Sequence, residues 1–209
     1  MPRLEQAKEG SRAVFFVDAA HFVLGAFLGY VWCFTRVFIP SPSGRQRFNV
    51  LGAINAITHE LISITNDTYI NSSSVCELLW KLANLNLTIP ITVVLDNAPY
   101  QHCRSVQSFA AFLGIELLFL PSYSPNLNLI ERLWKFVKNH CLYSKYYPTF
   151  DSFKHSIVSC LSSTTTIHKS KLDSLLTLHF QTFQKLDFDH QLLVFPPPES
   201  QNKSHLMAA

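Results

Sequence analysis

Only 15% of the 209 residues are charged, no two cysteines are spaced C-x-x-C, and no uncharged run is long enough to cross a bilayer. Each shortage excludes a class of protein. So few charges beside 48% hydrophobic residues rule out an intrinsically disordered chain and predict a globular protein, one domain with appendages at this length. The five cysteines, at positions 33, 76, 103, 141 and 160, are odd in number and widely spread. That pattern suits reduced thiols and argues against a disulfide framework or a zinc site. The most membrane-like stretch, uncharged from Phe22 to Thr35, is too short for a membrane span, and Gly25 and Gly29 break it up, so it reads as core strands. The opening MPRLEQAKEG has no apolar core of the signal-peptide kind, which predicts a cytoplasmic protein with no membrane partner. There is no internal repeat, and a net charge of +3 identifies no partner by itself.

What is present is an alternation of strand and helix patterns. Residues 1–11 form a polar lead. Ala13 to Val17 (AVFFV) is a continuous apolar run ending at Asp18, which predicts a buried strand with a carboxylate at its carboxyl end. After a turn near His21, the segments at Gly29 to Phe38 and Phe48 to Ala56 flank the turn-forming SPSG of 41–44 and predict an antiparallel meander. A further strand near Leu61 to Thr65 gives way to a helix marked by Val75, Leu78, Leu79 and Leu82, with Ser72 to Ser74 as caps. ITVVL at 91–95, a helix bearing Val106, Phe109, Ala110 and Leu113 that stops at Gly114, and IELLFL at 115–120 make a strand, helix, strand unit that favours a parallel pair. Ser124-Pro125 predicts the start of a long helix running to about Cys141. Two more helical patterns follow Phe150 and Lys171, and the end of the chain is too poor in apolar periodicity to pack.

Three carboxylates stand out in this frame. Asp18 and Asp96 each terminate a run of five apolar residues, which puts both where open α/β sheets build their sites. Glu131 lies at the edge of a helical stripe of Leu127, Ile130, Leu133, Trp134, Val137 and Cys141. Taken singly, each acid has a plain alternative: a turn-starting aspartate, or a surface glutamate paired with Lys135 at i+4. Gathered together they would repel strongly unless a divalent cation compensated. All-oxygen donors select magnesium, with manganese as a substitute. Two such ions about 4 Å apart serve to activate a hydroxyl and stabilise the leaving oxygen of a phosphodiester.

The segments FFVDAAHF, VLDNAPYQH and PSYSPNLNLIERLWKFVK resemble the three signature blocks of DDE transposases, specifically the mariner-like insertion-sequence-630 family. The 34 residues between Asp96 and Glu131 are that family's characteristic gap, and GRQRFNVLGAINAITHELISITNDTYIN at 44–71 resembles its middle section. The resemblance implies a ribonuclease-H-like α/β fold: a mixed five-stranded sheet, three antiparallel strands first and then parallel ones, flanked by helices. It implies Asp18, Asp96 and Glu131 as catalytic and metal-binding residues, cleavage of transposon ends, and transfer of the freed 3′-hydroxyls into target DNA at TA sites. The expected organisation is a lead at 1–11, a catalytic core at 12–145, packing helices at 146–186 and a flexible tail at 187–209. The first catalytic strand begins by residue 13, so the helix-turn-helix region that reads transposon ends in this family is expected on a separate subunit or an upstream reading-frame product. The implied setting is the nucleoid, with double-stranded DNA as partner and a dimer in the reaction complex. The alternatives are a DNA-binding remnant or another nuclease of the same fold.

Further residues are candidates for DNA contact. Asn97 follows Asp96 directly, in a position that turn chemistry explains equally well. His21 and His102 lie three and six residues beyond the two aspartates. Asn126 and Asn128 precede Glu131 near a helix start, as caps or as phosphate ligands. Lys135 and Lys138 share the helix face of Glu131. Arg36, Arg45 and Arg47 flank the SPSG turn as a small basic patch. Trp32, Trp80 and Trp134 all read as packing residues.

Overall fold

In the computed structural model, which describes residues 2–25, 34–35, 38, 46–121 and 124–180, one five-stranded sheet forms the centre. Its strands are β1 (Ala13–Val23), β2 (Arg47–Asn55), β3 (Leu61–Asn66), β4 (Ile91–Leu95) and β5 (Glu116–Phe119), in the spatial order β3-β2-β1-β4-β5. β2 runs antiparallel to both β1 and β3, whereas β4 and β5 run parallel to β1. This is the mixed sheet expected from the sequence. Of the strand expected at 29–38 only residues 34, 35 and 38 are described, none of them as strand, and Arg36, Arg45, Trp32 and the tail lie outside the described residues.

The continuous apolar run of AVFFV reflects burial on both faces. Val14, Phe16, Ala20 and Phe22 enter one core with the helices α4 (Ile130–Cys141), α5 (Phe150–Ser162) and α6 (Lys169–Leu175). Ala13, Phe15 and Val17 enter a second core with α2 (Ser72–Ala83) and α3 (Arg104–Phe112). Strand alternation therefore assigns Asp18, an even-numbered position, to the α4 side.

Four local details differ from the sequence expectation. β1 does not end at Asp18; it continues to Val23 against β2, so His21 is a strand residue and not part of a turn. β4 stops at Leu95, one position past its last β1 pair, Phe16 with Val94. Asp18 thus sits mid-strand yet level with the end of its neighbour. The long helix begins only at Ile130, because Pro125–Leu127 form a 3-10 turn and the side chain of Asn128 turns inward. The polar lead contains a short helix, α1 (Pro2–Lys8), that buries Leu4 and Ala7. Its Arg3 joins Arg12 and Thr92 on Glu116, which closes the sheet end remote from Asp18. Finally, Trp80 is 55% exposed on α2 and is not a packing residue.

Capping explains the helix boundaries. Asn71 with Ser74 and Thr149 with Ser152 form reciprocal capping boxes at α2 and α5. After α3, Gly114 takes φ +71, a backbone state that glycine enters without steric penalty. The four cysteines among the described residues are free thiols. Among the described residues no helix is long and apolar enough to cross a membrane.

Candidate active site

Asp18 is the one charged side chain on the α4-facing side of β1. Directly opposite it on β2 stands Gly52. The missing side chain makes room for Trp134: a Cβ on Gly52 would lie 2.8 Å from the indole Cη2 and 3.0 Å from Ile130 Cδ1. Seated in that gap, with Phe22 edge-on at 6.4 Å, Trp134 donates its Nε1–H to Asp18 Oδ2 at 3.1 Å. The same ring therefore fills the core and holds the carboxylate.

Asp96 continues β4 beyond its last sheet pair, on the same face as Val94 and Asp18. Its Oδ1 accepts the amide of Ala98 at 3.2 Å, an Asx turn that re-aims the chain after the strand. Glu131 stands exposed in the first turn of α4, where the helix dipole favours a carboxylate. Glu131 and Asp96 both act on Asp18. Asp18 is pushed from 3.8 up to about 7, first by burial and then by the negative charges of Glu131 and Asp96, against the opposing hydrogen bonds from the Ala19 amide and Trp134. Among the described residues, the one set of three or more His, Cys, Asp or Glu side chains with ligand atoms all within 4.8 Å is His140, Cys160 and His168.

The donor set suits a hard divalent cation. It consists of carboxylate oxygens and holds excess negative charge, and the nearby chain carries one buried amide oxygen, Asn128 Oδ1, that has no hydrogen-bond partner. Asn128 is fixed by donating from Nδ2 to the carbonyl of Val17, the residue before Asp18. Replacing Trp134 by phenylalanine keeps most of the packing and removes the donor, so the Asp18 carboxyl should titrate higher still. Carboxyl carbon shifts in an NMR titration would show this, and an unchanged midpoint would rule out the indole as a determinant of Asp18.

Tyr100, which the sequence reading did not single out, faces the same acids. Burial first, and Asp96 and Asp18 after it, push its phenol up to about 12, so it remains a neutral donor. Its position four residues after Asp96 was the available signal. Other candidates lie elsewhere or have structural partners. His21 is on the opposite face from Asp18, where its Nδ1 meets the buried Asn49 Oδ1 at 2.6 Å. Asn49 donates onward to Asn66 and Thr68, which leaves its oxygen to accept and assigns the Nδ1 proton to His21. Asn97 donates to the Leu120 carbonyl and ties the ends of β4 and β5 together. His102 is exposed and lies against Phe119 at 4.4 Å. Arg47 is at the far end of β2, paired with Val23. Asn126, Lys135 and Lys138 are exposed beside or along α4, and Lys135 lines a groove of about 480 Å³ with Arg132 and Lys171.

A family model described as DDE superfamily endonuclease matches residues 13–154. The chain is similar to the Mos1 transposase in its strand transfer complex, with a TM-score of 0.54 and 16% identity over 83% of this chain and 55% of that one. It is similar to a chain of the simian T-cell lymphotropic virus intasome, with a TM-score of 0.53 and 12% identity over 93% and 60%. The HTLV-2 integrase catalytic core domain, solved in complex with magnesium, gives a TM-score of 0.50 and 14% identity over 74% and 86%. No curated protein sequence matches. The fold is therefore the ribonuclease-H-like one of transposase and integrase cores, and the chain spans 55 to 60% of the length of the Mos1 and intasome chains.

Proposed function

Because the chain belongs to the DDE superfamily endonuclease family, we propose that it is the catalytic core of an insertion-sequence-630-type transposase that cuts transposon ends and joins their 3′-hydroxyls to target DNA. The observation that supports this most is the meeting of Asp18, Asp96 and Glu131, from mid-β1, the end of β4 and the first turn of α4, in one electrostatically coupled group. Two negative charges that raise the proton affinity of a buried carboxyl are unfavourable in a folded protein without a function to maintain them.

In this reading the three carboxylates, with Asn128 Oδ1 beside them, hold two magnesium or manganese ions. When bound, such ions supply Lewis-acid activation of a water or 3′-hydroxyl and stabilise the leaving oxygen. The chain itself contributes orientation. Trp134 fixes the Asp18 carboxylate, Asn128 fixes the backbone at Val17, and the neutral Tyr100 hydroxyl is a donor facing the acids. Lys135 and Lys138, exposed along the helix that carries Glu131, hold backbone phosphates without reading sequence. In the same reading end recognition requires a helix-turn-helix region, insertion falls at TA sites, and pairing of two ends requires a dimer.

The test is the purified chain on supercoiled plasmid, alone and with its end-binding partner. Nicked circles should form with magnesium or manganese and vanish with chelator, and calorimetry should detect binding of the ions. Cleavage that survives chelation, or no ion binding and no nicking under any of these conditions, would refute the reading.

A further inference from the structure

A second group of ligand-type side chains lies at the opposite end of α4 from Glu131. His140 in the last turn of α4, Cys160 in α5 and His168 just before α6 bring one ligand atom each to within 4.8 Å of one another. We propose that these three side chains form a site for a single zinc-type cation, separate from the acidic site.

The donor types carry the first part of the case. Two imidazoles and a thiolate suit zinc and are poor ligands for magnesium, whereas the acidic site has the opposite preference. Preorganisation carries the second. The His140 ring stacks on Phe136 at 5.6 Å with planes 10° apart, and the His168 ring stands edge-on to both, 5.2 Å from Phe136 and 4.5 Å from His140. The two rings are thus fixed by apolar contact on one side. Cys160 is 4% exposed, and its thiol is hydrogen-bonded to Cys141, whose own Sγ lies 3.5 Å from the Ser156 carbonyl. The bond to Cys141 and burial raise the Cys160 thiol, whose proton a bound cation would displace to solvent.

Zinc bonds of about 2.0–2.3 Å set tetrahedral ligand atoms roughly 3.3–3.8 Å apart, so the cluster must contract by about 1 Å. His140 is exposed and gives both that freedom and an entry path. It also lines the groove with Arg132, Lys135 and Lys171, which leaves a fourth coordination position open to water or an anion. Lys145 and Lys171 act on His140 and oppose a cation, an effect that the Cys160 thiolate offsets. Cys160 and His168 both lie beyond the span that the family model matches. The bound ion would staple the end of α4 to α5 and α6.

Cobalt(II) titration of the metal-stripped full chain tests this independently of DNA cleavage. One equivalent should produce a thiolate-to-cobalt charge-transfer band that zinc bleaches, and zinc should raise the melting temperature. The band should disappear in Cys160→Ser and in the surface variant His140→Ala, and persist in Cys141→Ser and in Asp96→Asn. Absence of the band in the wild-type chain, its survival in His140→Ala, or its loss in Asp96→Asn would overturn the proposal.

Discussion

Asp18→Asn should leave the metal-free protein more stable at pH 8 and abolish its cleavage of DNA. The Asp18 carboxyl is held at about 7 in the fold against an ordinary 3.8. Between those two values the folded state binds more protons than the unfolded one, so stability falls as pH rises through the window, and the penalty is complete above about 7. At about 1.4 kcal/mol per pH unit, ionised Asp18 destabilises the folded state by roughly 2–4 kcal/mol. Asparagine removes that penalty with nearly the same shape. In denaturant melts the variant should therefore gain at pH 8 and gain nothing at pH 4, and magnesium should stabilise the wild-type chain and not the variant. If Asp18 holds metal as proposed, its loss removes several kcal/mol of transition-state stabilisation, on the order of a thousandfold in rate. Equal stability of the two proteins at both pH values would show that Asp18 is not under charge stress.

Gly52→Val should be as damaging by a different route. On strand propensity alone valine is the better residue, by up to about 1 kcal/mol. Packing opposes it more strongly. Even a Cβ meets the Trp134 ring at 2.8 Å and Ile130 at 3.0 Å, and valine adds two methyl groups in the same direction. Overpacking of this kind costs about 1–3 kcal/mol, and displacing the indole adds the loss of a hydrogen bond to a charged group, about 1.5–3 kcal/mol. The expected result is a lower melting temperature together with a drop in cleavage of about 10- to 100-fold, the usual scale for groups that orient metal ligands. A variant that melts higher than wild type would show that the ring can move aside freely.

The sequence revealed the fold wherever burial left a periodic trace. α2, α3 and the two C-terminal helices lie close to where their apolar spacing predicted them. β1 shows where this fails. With both faces buried, AVFFV has no period, so the run places Asp18 without showing which side of the sheet it faces, and the polar Asp18 and His21 make the rest of the strand look like a turn. What keeps DAAHFV in a strand is pairing with β2, a contact between distant segments. The start of α4 was misread for a related reason. Ser124-Pro125 is a sound helix opening locally, but Asn128 is buried against Val17, 111 positions away, and interrupts the helix. Trp134 looked like a packing residue and is one; its indole donor finds a partner 116 positions away. His140, Cys160 and His168 follow no ligand spacing, because three separate elements bring them together.

The unequal lengths of β1 and β4 give the acidic site two kinds of support. Asp18 is locked into a ladder that runs five residues past it along β2, and Trp134 bears on its carboxylate. Asp96 is borne by an Asx turn just off the sheet, and Glu131 by an exposed first helical turn. Mechanically the site resembles a vice with one fixed jaw. If the proposed reaction on a phosphodiester takes place here, Asp96 and Glu131 are the acids placed to take up displacement, and Asp18 is the one placed to stay fixed as the reference point. Under that reaction, stiffness in β2 would become a catalytic property, although no residue of β2 belongs to the acidic group.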